Sequence, residues 1–251
     1  MAIDEGKLND FMGKFVADLG AVMHAATIVV GDQLGLYKAL AEKPQTAEQL
    51  ARRTETDPRY LREWLASQAA SGYVLYDAAD ETFSMSEEQA FALATEGSPA
   101  FIPGAFQIAV AQFKAIPKMT QALRTGLGIG WHEQDACLLQ GTERFFRPGY
   151  AANLVSSWIP ALNGMEKRLK AGASVADVGC GHGASTLIMA EAYPASTFVG
   201  FDYHEPSIAH ARAAAQKAGE KRLREVVSEG GFTSFRRAAE TPFNLIFEAT
   251  P

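Results

Sequence analysis

The sequence predicts an α/β protein in two parts: a helical amino-terminal half built on a winged helix, and a shortened open α/β domain at the carboxyl end. Three observations carry this. Residues 174–183, Ser-Val-Ala-Asp-Val-Gly-Cys-Gly-His-Gly, run from an apolar stretch into three glycines at alternate positions. A second β-rich run, 196–201, ends in Asp202, nineteen positions after Gly183. Residues 45–90 hold two capped helical patterns, then two short β-rich runs around a polar turn.

Val175, Ala176 and Val178 suit a buried parallel strand, and residues 184–193 read as a helix with Leu187, Ile188 and Ala190 available for packing. Gly179, Gly181 and Gly183, with Cys180 between the first two, form the strand-to-helix turn. Glycine there tolerates positive φ and lets a ligand approach bare backbone, while the N–H groups opening the helix attract an anionic group. Asp177 falls near the carboxyl end of its strand, where open α/β sheets bind ligands, and Asp202 lies at the separation from which an acid reaches a ribose hydroxyl pair. The pattern predicts a nucleotide-like ligand.

Val175-Ala176-Asp177-Val178-Gly179-Cys180-Gly181-His182-Gly183, followed by Gly200-Phe201-Asp202-Tyr203-His204, resembles the class I methyltransferases that use S-adenosylmethionine. The resemblance implies a Rossmann-like domain in which Gly179, Cys180, Gly181 and Gly183 line the cofactor, Asp177 supports the turn, Asp202 binds the ribose and Tyr203 flanks the adenine. A nicotinamide dinucleotide site is the alternative, because Gly179, Gly181 and Ala184 also satisfy the looser G-x-G-x-x-G/A pattern. A purely structural glycine turn is the third reading. Gly183, and an acid placed ahead of the glycines, favour the methyl donor.

At 251 residues the chain has room for two domains, and 47% hydrophobic residues can build a core. A net charge of -6 argues against general affinity for nucleic acid or anionic membrane. Cys137 and Cys180 are the two cysteines, and one sits in the glycine turn, so a disulfide framework is not expected and a reducing, cytoplasmic setting is. No signal-peptide pattern and no apolar run approaching the roughly 20 residues of a membrane span is read from the sequence.

The expected domains are a helical winged-helix dimerisation domain over 1–97, a helical linker or lid over 98–171, and the truncated cofactor domain over 172–251. Leu8, Phe11, Phe15, Leu19, Val22 and Met23 recur at helical spacing, and a second apolar stretch, 25–30, leads to Gly31. A helix pair this apolar needs cover, from a second copy of the chain or from the rest of the molecule. Thr46 is the expected N-cap of one helix, and Asp57-Pro58 opens the next, whose apolar face is Tyr60, Leu61, Trp64, Leu65 and Ala69. Gly72 ends it, and 73–76 and 82–85 flank the turn 77–81 as a two-stranded wing.

A winged helix invites a DNA-binding reading, yet residues 44–90 carry four arginines against nine acids. A wing with Asp77, Asp80 and Glu81 would repel phosphates, so nucleic acid is not the expected partner. Together with the cofactor motif, this half is similar to small-molecule O-methyltransferases and to a bacterial group often labelled transcriptional regulators, in which the domain dimerises.

The middle segment is helical in pattern but broken by Pro103, Pro117, Pro148 and Pro160, and by Gly126, Gly128 and Gly130, which predicts several short helices. Its aromatics could wall an apolar acceptor pocket or fill a core; Phe113, Trp131 and Tyr150 are the candidates to face a substrate. No histidine pair has a metal-ligand spacing supported by nearby ligands, so no metal is expected; His132 could serve as a base for an acceptor hydroxyl, but a surface or packed histidine is the reading favoured, and no catalytic residue is singled out.

After Asp202 comes a helix over 205–218 with Ile208, Ala209, Ala211 and Ala215 as its apolar positions. An α/β sheet should then supply a third strand. Instead the sequence reads as another helix, 220–229, then Gly230-Gly231, and an antiparallel hairpin from 232–237 and 243–249 around Thr241-Pro242. These match the last elements of the resembled fold, so its third, fourth and fifth strands are missing. A domain of about 80 residues is marginal, which predicts that the hairpin moves in beside the first strand or that a partner chain covers the open edge. The function expected is methyl transfer to a small hydroxyl-bearing molecule. A non-catalytic dimeric scaffold and a winged-helix regulator are the alternatives.

Overall fold

In this computed structural model residues 3–218, 234–240 and 245–250 are described. The expected helix 220–229, the glycines after it and the turn at Thr241-Pro242 lie outside them. The chain divides into two compact units. One runs to Gly128 and takes in Gln134–Phe145; the other combines Ile129–Glu133 with the described residues from Phe146 onward. Residues 98–171 thus contribute to both.

In the first unit, α1 (Glu5–Gln33) is one continuous helix rather than a pair, opened by the Asp4 carboxylate accepting the Lys7 N–H. By length and composition it is apolar enough to cross a membrane, which corrects the expectation that no such run exists. Its last turns do something else: Ile28, Val29 and Gly31 are buried, Ile28 within the winged-helix core. Phe11, Phe15, Val16 and Met23 stay exposed. Gly35 in the left-handed region turns the chain into α2 (Leu36–Ala41).

α3 (Ala47–Thr54) starts at Thr46, whose hydroxyl takes the Gln49 N–H while the Gln49 side chain returns to the Thr46 N–H. α4 (Pro58–Ala70) starts at Asp57, with proline in its first turn. Leu61 and Leu65 face the core as expected, whereas Tyr60 points to solvent. Gln68 is fully buried between the Tyr37 hydroxyl, which donates to it, and the Thr27 hydroxyl, to which it donates. The wing is β1 (Leu75–Asp77) antiparallel to β2 (Thr82–Ser84), followed by α5 (Glu87–Leu93).

α6 (Pro103–Thr125) runs through Pro117, and α7 (Ala136–Asn153) through Pro148, so the middle segment forms longer helices than its prolines predict. Pro103 and Pro160 take first-turn positions, where the missing N–H costs nothing. Between α6 and α7 lies a 3-10 turn, Trp131–Glu133, in the second unit. Within the first unit Arg144 on α7 forms paired hydrogen bonds to Asp32 on α1, at 2.6 and 3.0 Å, with its guanidinium over the Phe101 ring.

The second unit continues through a π-helical turn, Leu154–Trp158, to α8 (Ile159–Ala161) and α9 (Met165–Ala171). β3 (Ser174–Val178) pairs parallel with β4 (Thr197–Phe201), Asp177 opposite Gly200, and α10 (Ala184–Ala192) crosses between them. Ile159, Leu169, Tyr193 and Phe198 form the core here. β3 is parallel but not buried: Ser174, Ala176 and Val178 are exposed, Val178 at 81%. A central strand is covered on both faces, and here, among the described residues, the sheet stops at two strands.

α11 (Glu205–Lys217) buries Ser207, Ile208, Ala211 and Ala215, with Ala209 outward. β5 (Ser234–Glu240) and β6 (Leu245–Thr250) form the expected antiparallel hairpin, with a bulge between Arg237 and Ala239. Among the described residues the hairpin pairs with itself and not with β3, which corrects the expectation that it moves in beside the first strand. Paired antiparallel, the two strands satisfy each other's backbone groups.

Candidate functional site

The site is built where β3 and β4 end side by side. Gly179, Gly181 and Gly183 all have positive φ, at 78°, 52° and 77°. This is the backbone that only glycine adopts without strain, and it lets the chain leave β3, loop and enter α10. The Gly179 and Cys180 N–H groups donate to the Phe201 carbonyl at 2.7 and 2.9 Å, tying the loop to the end of β4. A Cβ added at Gly179 or Gly181 would meet nothing within 4 Å, so bare backbone borders open space.

Asp202 closes the loop from the other side. One carboxylate oxygen accepts the Gly181 N–H and the other the His204 N–H, both at 2.9 Å. Each oxygen keeps a lone pair for a further donor. An acid fixed by two backbone bonds beside exposed backbone is suited to holding a vicinal diol. The residues present therefore fit a nucleoside cofactor.

Asp177 points behind the loop. Its carboxylate accepts the Ser185 and Thr186 hydroxyls at 2.8 and 2.6 Å, joining the end of β3 to the first turn of α10. Thr186 is fully buried. Neither hydroxyl is singled out by the sequence reading, though two hydroxyl residues just inside a helix after an acid-led glycine turn are the signal that could find them. Cys180 is buried, and its sulfur fills the space at Gly200, where a Cβ would come within 2.8 Å. Burial, with the Asp177 and Asp202 charges adding to it, pushes the Cys180 thiol up to about 11.

Tyr203 follows Asp202 with its ring 71% exposed and its hydroxyl oxygen accepting the Trp131 N–H at 2.8 Å. The His132 ring stands edge-on to it, centroids 6.3 Å apart. Tyr150 lies in the same unit, stacked on Phe146 and edge-on to Trp158, and burial, then the Asp177 charge, raises its phenol. Phe113 is on α6 in the first unit, half-exposed. The second unit thus holds Asp177, the glycine loop, Asp202, Tyr203, Trp131 and Tyr150, without Phe113. It also stacks His182 of the loop on His210 of α11 at 4.0 Å.

A glycine loop and an acid ending the neighbouring strand of an α/β unit, in a chain that also carries a winged helix, define the two-domain fold of the class I S-adenosylmethionine-dependent methyltransferases. The comparisons agree for both parts: residues 22–95 match the Rv2258c-like winged HTH domain, and residues 169–248 match a methyltransferase domain. Among solved structures, the mitomycin 7-O-methyltransferase MmcR superposes over 90% of this chain and 68% of its own, at 19% identity and a TM-score of 0.63. PigF, solved with SAH, matches over 90% of this chain and 66% of its own, at 16% and 0.61. Human N-acetylserotonin methyltransferase, in complex with SAM, matches over 91% and 68%, at 14% and 0.61. Identities this low establish a shared fold. The chain spans about two thirds of the length of each of these proteins. No curated protein matches the sequence.

Proposed function

We propose that the chain binds S-adenosylmethionine at the Gly179–Gly183 loop and acts as a methyltransferase on a small hydroxyl-bearing acceptor. The observation that carries this is the Asp202 carboxylate, held by the Gly181 and His204 N–H groups beside open glycine backbone. The glycine loop would take the amino-acid end of the donor, Asp202 the ribose hydroxyls and Tyr203 one face of the purine. Asp177 keeps the loop in shape through Ser185 and Thr186 rather than touching the donor. When bound, the sulfonium supplies an activated methyl group, and the protein's task is to position an acceptor and exclude water. Trp131 and Tyr150 would face that acceptor.

The assay is transfer of a labelled methyl group to a panel of phenols and alcohols, with NADH titrated in parallel. Labelled product supports the proposal, and heat from NADH alone contradicts it. A second reading, a scaffold that keeps half a site, is favoured by the exposed face of β3, including Val178, in its two-stranded sheet. Donor binding without transfer to any acceptor would select it. In either reading we propose a homodimer assembled through the exposed apolar residues of α1, and light scattering at 27.0 kDa rather than twice that would contradict it.

A further inference from the structure

We propose that the Tyr203 hydroxyl positions the 129–133 loop, so that one side chain joins the ribose end of the donor site to the residues meant for the acceptor. Tyr203 directly follows Asp202, whose carboxylate is fixed by two backbone bonds, so the base of the tyrosine is anchored. Its ring is largely exposed, yet the hydroxyl does not simply face water. It accepts the N–H of Trp131, 72 positions earlier in the chain, at 2.8 Å. The loop itself is closed internally: the Glu133 N–H donates to the Gly130 carbonyl at 3.0 Å, and the Gly130 N–H to the Glu133 carboxylate at 2.7 Å. The Trp131 N–H, at the opening of the 3-10 turn, has no carbonyl ahead of it within that turn, and Tyr203 supplies the acceptor. The His132 ring meets the tyrosine ring edge-on, at 85°.

The consequence rests on the proposed function, that Asp202 holds a nucleoside. A purine laid on the Tyr203 face restricts swinging of that side chain about its Cα–Cβ bond, and the hydroxyl at its far end is held in place with it. Donor binding therefore holds the loop in place and orders Trp131 before an acceptor arrives. Tyr203 acts through the loop and is a positioning residue.

Hydrogen exchange of the full chain tests this, comparing wild type with Tyr203→Phe, which keeps the ring and removes the acceptor oxygen. In the absence of donor, the Trp131 amide should exchange about five- to tenfold faster in the variant, the factor lost with one hydrogen bond, at an unchanged melting temperature. S-adenosylmethionine, at a concentration that calorimetry shows to saturate each protein, should slow that amide in the wild type and not in the variant. Equal exchange in the two proteins without donor overturns the latch. Donor that binds the wild type and leaves the Trp131 amide unchanged overturns the coupling. Absence of any donor heat in either protein defeats the proposed function and the coupling with it, while the comparison without donor still decides the latch.

Discussion

Asp177 and Cys180 show how much of the candidate site is support behind the ligand surface. The Asp177 carboxylate takes two hydroxyls, one of them on the fully buried Thr186, so Asp177→Ala leaves a buried donor without an acceptor. The expected loss is about 1–3 kcal/mol of stability in urea unfolding, with Asp177→Asn losing less because its carbonyl oxygen can still accept. An unchanged midpoint for the alanine variant would contradict this role. Cys180 yields a pH-dependent prediction. Its thiol, raised to about 11 from an ordinary value of about 8.5, stays neutral in the folded protein when an unfolded thiol has ionised. The native state then holds the proton more tightly, so this contribution to stability is intact below about pH 8.5 and is lost as pH rises toward 11. Iodoacetamide at pH 8 should accordingly modify Cys137 well before Cys180, read by mass spectrometry of the labelled peptides.

The elements that were legible in the sequence are those whose boundaries are set by local chemistry. Thr46 and Asp57 cap α3 and α4 through bonds reaching only three residues, and Gly72 ends α4 in the left-handed conformation a helix stop requires. The glycine loop and Asp202 were readable because their spacing reflects one strand-turn-helix unit and its neighbour. What escaped depends on distant partners. Pro117 and Pro148 do not break their helices: α6 continues to Thr125 and α7 to Asn153, each past its proline. Gln68 is buried because Tyr37 and Thr27 satisfy its amide, and Tyr203 meets Trp131 across a long stretch of chain. Arg144 belongs with these. It neutralises Asp32, whose side chain is 7% exposed and lies in the last turn of α1, the negative end of the helix dipole. Arg144→Ala strands that carboxylate and should destabilise the first unit by about 3 kcal/mol. A midpoint shift in chemical denaturation under a third of that size would mean the pair is not holding α1 to α7.

At the scale of the whole molecule, the fold combines a winged helix carrying an acidic surplus with an α/β unit whose described parallel sheet has two strands. Over 44–90 the first feature sets nine acids against four arginines, a balance that opposes phosphate contacts. The second makes the proposed donor site the decisive feature, because the loop, Asp177, Asp202 and Tyr203 all belong to the β3, α10 and β4 segment and its immediate continuation. If that segment is a complete half-site, it binds its nucleoside with the two parallel strands described here. Calorimetric titration of the purified chain with S-adenosylmethionine, alongside Asp202→Ala, tests this most directly. The account predicts saturable binding by the wild type and at least a tenfold loss in the variant, the cost of removing a charged partner from a hydroxyl pair. Equal binding by the two proteins, or none by a folded wild type, would contradict it.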